Sequence, residues 1–237
     1  MKLAVSGDMA RSVDAEPDRS RKPDGYWLPG QELYDKVESY LIESLMTQPP
    51  MNTSSRVCSW RHAWGLDNRI RKIVQNPYKI VGRYIEEGQT VLDLGCGPGV
   101  FSLAMAEMVG ETGKVISVDI QGEMLQMLKR KSNQAGLGSR IIIHQSQPNK
   151  IGISEKVDFA LAFYMVHEVP NIESFLGEVA TLLKPQGKLL IVEPKFHVSK
   201  SSFEETIKVA QAVDLRPISW PKVFLSRAVL LQQSSIL

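Results

Sequence analysis

Cysteine is scarce in this 237-residue chain, with only Cys58 and Cys96. Two cysteines build no disulfide framework, and such usage fits a reducing compartment. Histidine is nearly as scarce. His62, His144, His167 and His197 show no close ligand spacing, so no metal site is expected. Excess charge of one sign is also missing. A formal net charge of +2 gives no electrostatic case for a nucleic-acid partner or an anionic membrane surface. No apolar run reaches the ~20 residues of a bilayer-spanning helix, and the opening MKLAVSGDMARSVD holds too short an apolar run for a signal peptide. A cytoplasmic location is therefore expected. No internal repeat is visible. What is present is ordinary for a globular chain with a sizeable core, 43% apolar and 23% charged.

The length suggests one domain with an appendage. Residues 1–55 are expected to form an N-terminal extension, mostly an irregular tail carrying one amphipathic helix over Gly30–Met46, where Leu33, Val37, Tyr40, Leu41 and Leu45 fall at helical spacing. TQPPMNTSS reads as a breaker. Residues 56–237 then alternate strand and helix. TVLDLG, KVISVD, RIIIHQ, VDFALAFYM and KLLIVEP read as strands. Helical segments lie over Val100–Met108, GEMLQMLKRKSNQAG, Asn171–Leu183 and SSFEETIKVAQAV. In the third, Ile172, Phe175, Leu176, Val179 and Leu182 share a face, and Pro185 with Gly187 should end it. In the fourth, Ser201 and Glu204 have capping-box spacing. LRPISWPKVFLSRAVLLQ reads as two closing strands joined by a Ser-Trp-Pro turn, which must pair antiparallel. Repeated βα units imply a parallel sheet covered by helices on both faces. The expected fold is α/β: a Rossmann-like, doubly wound seven-stranded sheet, mostly parallel, with an antiparallel C-terminal hairpin strand and an N-terminal helical extension.

The most informative stretch is VLDLGCGPGVFS, Val91–Ser102. In open α/β sheets ligands bind beyond the C-terminal ends of the strands, and glycines there let a backbone approach a ligand closely. Gly95 and Gly97 match the start of the dinucleotide fingerprint, but its third position is Val100, and Gly99 comes one residue too early. No Gly-Lys-Ser/Thr follows, so the phosphate P-loop fails as well. Asp93, just ahead of the glycines, suits a ligand with positive charge and no phosphate. Asp119 ends the second strand, well set to accept both hydroxyls of a ribose. A ribose plus a cation, without phosphate, describes S-adenosylmethionine (SAM).

VLDLGCGPGVFS followed by VISVDI resembles the first two motifs of class I SAM-dependent methyltransferases, and the similarity runs over roughly residues 76–193. FYMVHEVPN and LLKPQGKLLIVEP resemble the small-molecule branch that includes ubiquinone/menaquinone C-methyltransferases and arsenite methyltransferases. The resemblance implies that Gly95 and Gly97 face the methionine part of the cofactor. It implies that Asp93 reaches the ammonium through water or loop amides, that Asp119 holds the ribose and that Ile120 flanks the adenine. The family often has an Asp after the third strand, near the adenine amino group; Ser146 stands there in this chain, and a hydroxyl can still accept a hydrogen bond. Cys96, inside the loop, and Phe163, closing the fourth strand, complete the expected cofactor set.

Methyl transfer requires an aligned acceptor, exclusion of water and, for many acceptors, removal of a proton. His167, just past the fourth strand, is the candidate base because imidazole titrates near neutrality. Tyr164 and Glu168 are lesser candidates there; Glu193, Lys195 and His197 follow the fifth strand and can line the pocket. Trp60 and Trp64, four apart, can cover the acceptor or simply pack the Cys58–Pro77 segment onto the core. Amino-methylases carry an Asn/Asp-Pro-Pro-Tyr/Phe tetrad after the fourth strand, which this chain lacks. Cytosine-C5 chemistry needs a cysteine there, catechol-type enzymes need several acids, and arsenite methylation needs more cysteines. The expectation is a SAM-dependent methyltransferase with a small-molecule acceptor. A non-catalytic SAM-binding or protein-interaction module, and a protein or RNA methyltransferase, stand as alternatives.

Overall fold

The computed structural model describes residues 76–234. The expected N-terminal extension, its Gly30–Met46 helix and the Trp60–Trp64 pair lie outside the described residues. A short helix α1 (Pro77–Val81) leads into β1 (Thr90–Leu94). Then follow α2 (Val100–Met108), β2 (Lys114–Asp119), α3 (Gly122–Gln134), β3 (Ile141–Gln145), β4 (Val157–Phe163) and α4 (Ile172–Leu182). The chain closes with β5 (Leu183–Pro194), α5 (Lys200–Ala212), β6 (Leu215–Ser219) and β7 (Ser226–Gln233). One seven-stranded sheet results, in the order β3-β2-β1-β4-β5-β7-β6. Strands β1 to β5 run parallel, β7 is antiparallel to β5, and β6 is antiparallel to β7.

The apolar runs explain the layering. β1 is buried at every position, as a central parallel strand covered on both faces must be. Its residues divide between two cores. Leu92 and Leu94 join Ile116, Val118, Ala160 and Ala162 against Leu176 and Val179 of α4 and Phe203 of α5. Val91 joins Val115, Phe159 and Leu161 against Val81 of α1, Met105 of α2 and Leu128 of α3. Helices therefore cover both faces, and the strand order reverses at β1 and β4. A doubly wound sheet opens its ligand crevice at such a switch point.

Three local expectations are corrected. Helix α5 begins before the Ser201/Glu204 pair: Ser199 is its N-cap, in extended backbone (φ −66°, ψ 163°), and accepts the Ser202 N–H at 3.0 Å. Helix α4 ends at Leu182, ahead of Pro185 and Gly187, because the residue before a proline avoids helical backbone. Leu183 is already extended and pairs with Val157, so β5 starts five residues before Lys188. Strand β4 stops at Phe163, and Val166–Glu168 form a 3-10 turn instead of continuing the strand. The closing strands pair antiparallel as expected; the connection runs over residues 220–225, longer than a Ser-Trp-Pro turn, and seats β7 between β5 and β6. That leaves Pro217, which has no N–H to donate, on an edge strand.

Candidate functional site

The glycine loop leaves the C-terminal end of β1 with Gly95 at φ 65°, Gly97 at φ 52° and Gly99, the N-cap of α2, at φ 89°. All three lie in the left-handed region that glycine enters without steric penalty. Gly95 is needed twice over. A Cβ there would sit 2.9 Å from Cβ of Met165, so the loop backbone packs directly against the segment that follows β4. At Gly97 an added Cβ would meet nothing within 4 Å, so this part of the loop borders open space.

Two carboxylates flank the loop. Asp119, at the end of β2, is 8% exposed and braces it: Oδ2 accepts the Gly97 N–H at 2.8 Å and Oδ1 accepts the Gln121 N–H at 2.9 Å. Burial raises its pKa, and the amides of Gln121, Gly97 and Ile120 pull it back. Asp93 is 2% exposed. Its Oδ2 accepts the Ser102 hydroxyl at 2.5 Å, and Ser102 in turn accepts from Ser117 at 2.9 Å. Burial lifts its carboxyl from 3.8 to about 7, with the Ser102 hydrogen bond opposing and the negative charge of Asp119 adding to the rise. Cys96 is buried, and burial with both acids beside it pushes its thiol well above the ordinary range. It is thus a neutral thiol, inert as a nucleophile.

The other side of the crevice follows β4 and β5. Phe163 packs on Phe101 and on Tyr164, with ring centroids 4.4 Å and 4.3 Å apart. Tyr164 holds left-handed backbone (φ 58°), unusual for an aromatic residue. Its N–H donates to the Val192 carbonyl at 2.8 Å, and its hydroxyl lies 2.6 Å from the Ser226 hydroxyl. This turn brings His167 back over the end of β5. There the His167 N–H donates to Glu193 Oε1 at 3.1 Å, and Nδ1 lies 2.6 Å from Glu193 Oε2. Burial opposes a charge on His167, but the hydrogen bond and charge of Glu193, joined by Glu168, win and raise its pKa. The His197 ring stands 5.8 Å from His167, with Phe196 edge-on to it at 5.3 Å.

Residues 85–220 match the profile of the Methyltransferase domain family. The chain belongs to that family. Among solved structures, this methyltransferase domain is similar to a SAM dependent methyltransferase from Aquifex aeolicus (28% identity, TM-score 0.68), with 75% of this chain and 100% of that one covered. Among curated proteins it is similar to a demethylmenaquinone methyltransferase of Oceanobacillus iheyensis, 30% identical over 109 residues, 46% of each chain. It is likewise similar to the ubiquinone/menaquinone biosynthesis C-methyltransferase of Salmonella arizonae, 34% identical over 110 residues, 46% of this chain and 44% of that protein. The chain thus matches a little under half the length of these curated relatives.

In this methyltransferase domain the sequence-expected residues converge. Asp93, Gly95, Cys96 and Gly97 form one turn, and Asp119 is hydrogen-bonded into it. Ile120 directly follows, its carbonyl accepting from Gln145 Nε2 at 3.0 Å. Ser146 donates its N–H to the Asp119 carbonyl at 3.0 Å and so lies at the same strand ends. Met165, the residue that a Cβ on Gly95 would meet, lies between Phe163 and His167 in the chain. His144 lies elsewhere, its Nε2 2.8 Å from the Ile151 carbonyl. Among the described residues no group of three His, Cys, Asp or Glu could hold a metal ion, and no helix is long and apolar enough to cross a membrane. Two partnerships escaped the sequence reading, Ser102 with Asp93 and Glu193 with His167. The second had a signal: Glu193 ends the wholly apolar run LLIV, and a buried acid needs a partner.

Proposed function

We propose that the chain is a SAM-dependent methyltransferase acting on a small-molecule acceptor. One observation carries the reading: a glycine loop at the switch point of the sheet, braced by Asp119, packs through Met165 against a segment that presents a histidine. The cofactor and acceptor halves of a transferase site are thereby set side by side.

The residues present fit the cofactor. Each oxygen of Asp119 has accepted one N–H, and a carboxylate offers about four acceptor sites, so capacity for a diol remains. Among the described residues no cation pairs with buried Asp93, and a ligand with an ammonium and a sulfonium would answer its charge. Gly95 and Gly97 would hold the methionine part, Ile120 and Ser146 would border the adenine, and Cys96 and Phe163 would line the cavity. When bound, the cofactor supplies an electrophilic methyl group. The chain's own residues would fix the loop, hold Asp119 toward the diol and offer His167 to an acceptor proton. A cytoplasmic setting belongs to the same reading, supported by the cysteine usage.

The names of the curated relatives make quinone precursors the first acceptors to screen. The test is calorimetry with SAM followed by turnover with quinone precursors, phenols, amines and thiols. Binding with product formation supports the reading. Binding without turnover across the set would favour the non-catalytic module, and no binding would end both.

A further inference from the structure

We propose that Glu193 is the positioning residue of a general-base pair with His167, and that the pair serves an acceptor carrying an aromatic hydroxyl. The proposal rests on the transferase reading above. Its geometry begins with a carboxylate that grips one residue twice. Glu193 accepts the His167 backbone N–H on Oε1 at 3.1 Å and holds Nδ1 at 2.6 Å from Oε2. Peptide and ring are held by one carboxylate, so the imidazole cannot turn without breaking the Nδ1 contact.

Glu193 is 2% exposed, and His167 is 24% exposed. An ionised carboxylate only accepts hydrogen bonds, so Nδ1 carries the proton and Nε2 keeps its lone pair. Both Glu193 oxygens are engaged by His167. Arg227 pairs with Glu193 across β7, but its Nε donates to the Val198 carbonyl at 3.2 Å. The other groups facing the ring are few among the described residues. Glu168, from the same 3-10 turn, has Oε1 4.0 Å from Nε2, too long for a hydrogen bond, and His197 stands 5.8 Å away from the segment after β5. With Nδ1 on Glu193, Nε2 is the ring nitrogen left to take a proton. The left-handed Tyr164 is what turns the chain to offer it, and backbone held in a sparsely populated region is expected where function demands it.

The surroundings select the acceptor. The His197 ring stands beside His167, and the 58% exposed Phe196 packs edge-on against His197, an aromatic surface suited to a flat aromatic molecule. Proton transfer is most effective when donor and acceptor strengths are close. An imidazole matches an aromatic hydroxyl far better than an alkyl alcohol, and a thiolate needs no base. In the step the O–H bond breaks, its electron pair stays on oxygen, and the proton forms a bond to Nε2. The imidazolium so produced lies against Glu193, and the proton then leaves to water.

The pairing is tested without turnover, by NMR titration of the His167 ring nitrogens in the full chain, its E193Q variant and its E193D variant. The expected result is the Nδ1–H tautomer in the parent, a titration moved to lower pH in E193Q, and partial return in E193D. An Nε2–H tautomer, or an unmoved titration in both variants, overturns the pairing whatever the cofactor does. The acceptor class is tested with SAM and hydroquinone, catechol, an alkyl amine and an alkyl thiol. Turnover of the phenols, with kcat lowered ~10²–10⁴-fold in His167→Ala and the acid limb of the rate profile displaced to lower pH in E193Q, supports it. Turnover confined to the amine or thiol overturns it. Failure to bind SAM would instead overturn the transferase reading and leave the NMR result standing.

Discussion

Cofactor binding should release protons, and the amount follows from Asp93. This carboxyl is 2% exposed and titrates at about 7 instead of 3.8, chiefly because burial disfavours its charge. The difference amounts to about 4 kcal/mol of ionisation cost. The sign for folding follows from the raised folded value. Below about pH 4 the group is neutral in both states and costs nothing, whereas the penalty grows as pH rises from about 4 and is complete above about 7. The unliganded protein should therefore lose stability across that window. Asp119 holds its charge first, since it is more exposed and doubly bonded to amides. A bound cation opposes both effects and draws the Asp93 pKa down.

With Asp93 ionised in the complex, binding releases roughly 0.5 proton at pH 7, ~0.9 at pH 6 and ~0.1 at pH 8. Below about pH 6 the affinity should weaken about tenfold per pH unit. The assay is titration calorimetry with S-adenosylhomocysteine, which keeps the ammonium, in buffers of different ionisation enthalpy. Adenosine, which has no cation, should release none. Asp93→Asn should abolish the release, which separates Asp93 from His167, whose pKa is also raised. Proton release that is absent from pH 6 to 8, or that survives in the Asn variant, would refute the assignment of Asp93 to the cation.

Asp119→Ala removes a charge-assisted partner worth roughly 1.5–3 kcal/mol, so the affinity for the same ligand should fall ~10–100-fold, and unchanged affinity would take Asp119 out of the site. Gly95→Ala forces a Cβ to 2.9 Å from Cβ of Met165 at φ 65°, whereas Gly97→Ala meets no atom within 4 Å and carries only the strain of φ 52°, about 1–2 kcal/mol. Gly95→Ala should lower Tm more, and the reverse order would contradict the packing. Phe159, 1% exposed and stacked on Tyr84 at 5.6 Å, should cost about 3–5 kcal/mol on mutation to Ala in urea denaturation.

Much of this was readable from the chain because the relevant signals are local. The strands β1, β2 and β4 are mostly apolar and buried along nearly their whole length, as parallel strands covered on both faces must be. The glycine loop declares itself through residues whose backbone demands no other type. Where the reading departed from the structure, two local signals competed or a long-range one decided. Ser199 caps α5 and Ser201 lies in its first turn, and the choice between them as N-cap depends on where the chain turns after Pro194. Leu183 was placed at the end of α4, but pairing with Val157, 26 positions away in the chain, draws it into β5.

The two missed partnerships are long-range in the same sense, yet they carry the chemistry. Asp93 and Ser102 lie on consecutive elements, and their meeting requires that Asp93 project to the α2 side of the sheet. It does so because Leu92 and Leu94, its neighbours on alternate positions, belong to the opposite core. His167 and Glu193 meet because β4 and β5 are adjacent and parallel, with Phe163 opposite Val192. The residues that follow these strands therefore emerge at the same end. Strand adjacency at a switch point is thus what brings Asp119 to the glycine loop and Glu193 to His167 at the same end of the sheet. Gly95 against Met165 sets the distance between them, so a side chain at Gly95 should disturb the cofactor loop and the orientation of His167 together. A Gly95→Ala variant whose His167 titration and SAM affinity both stay unchanged would show that the two halves are not coupled through that contact.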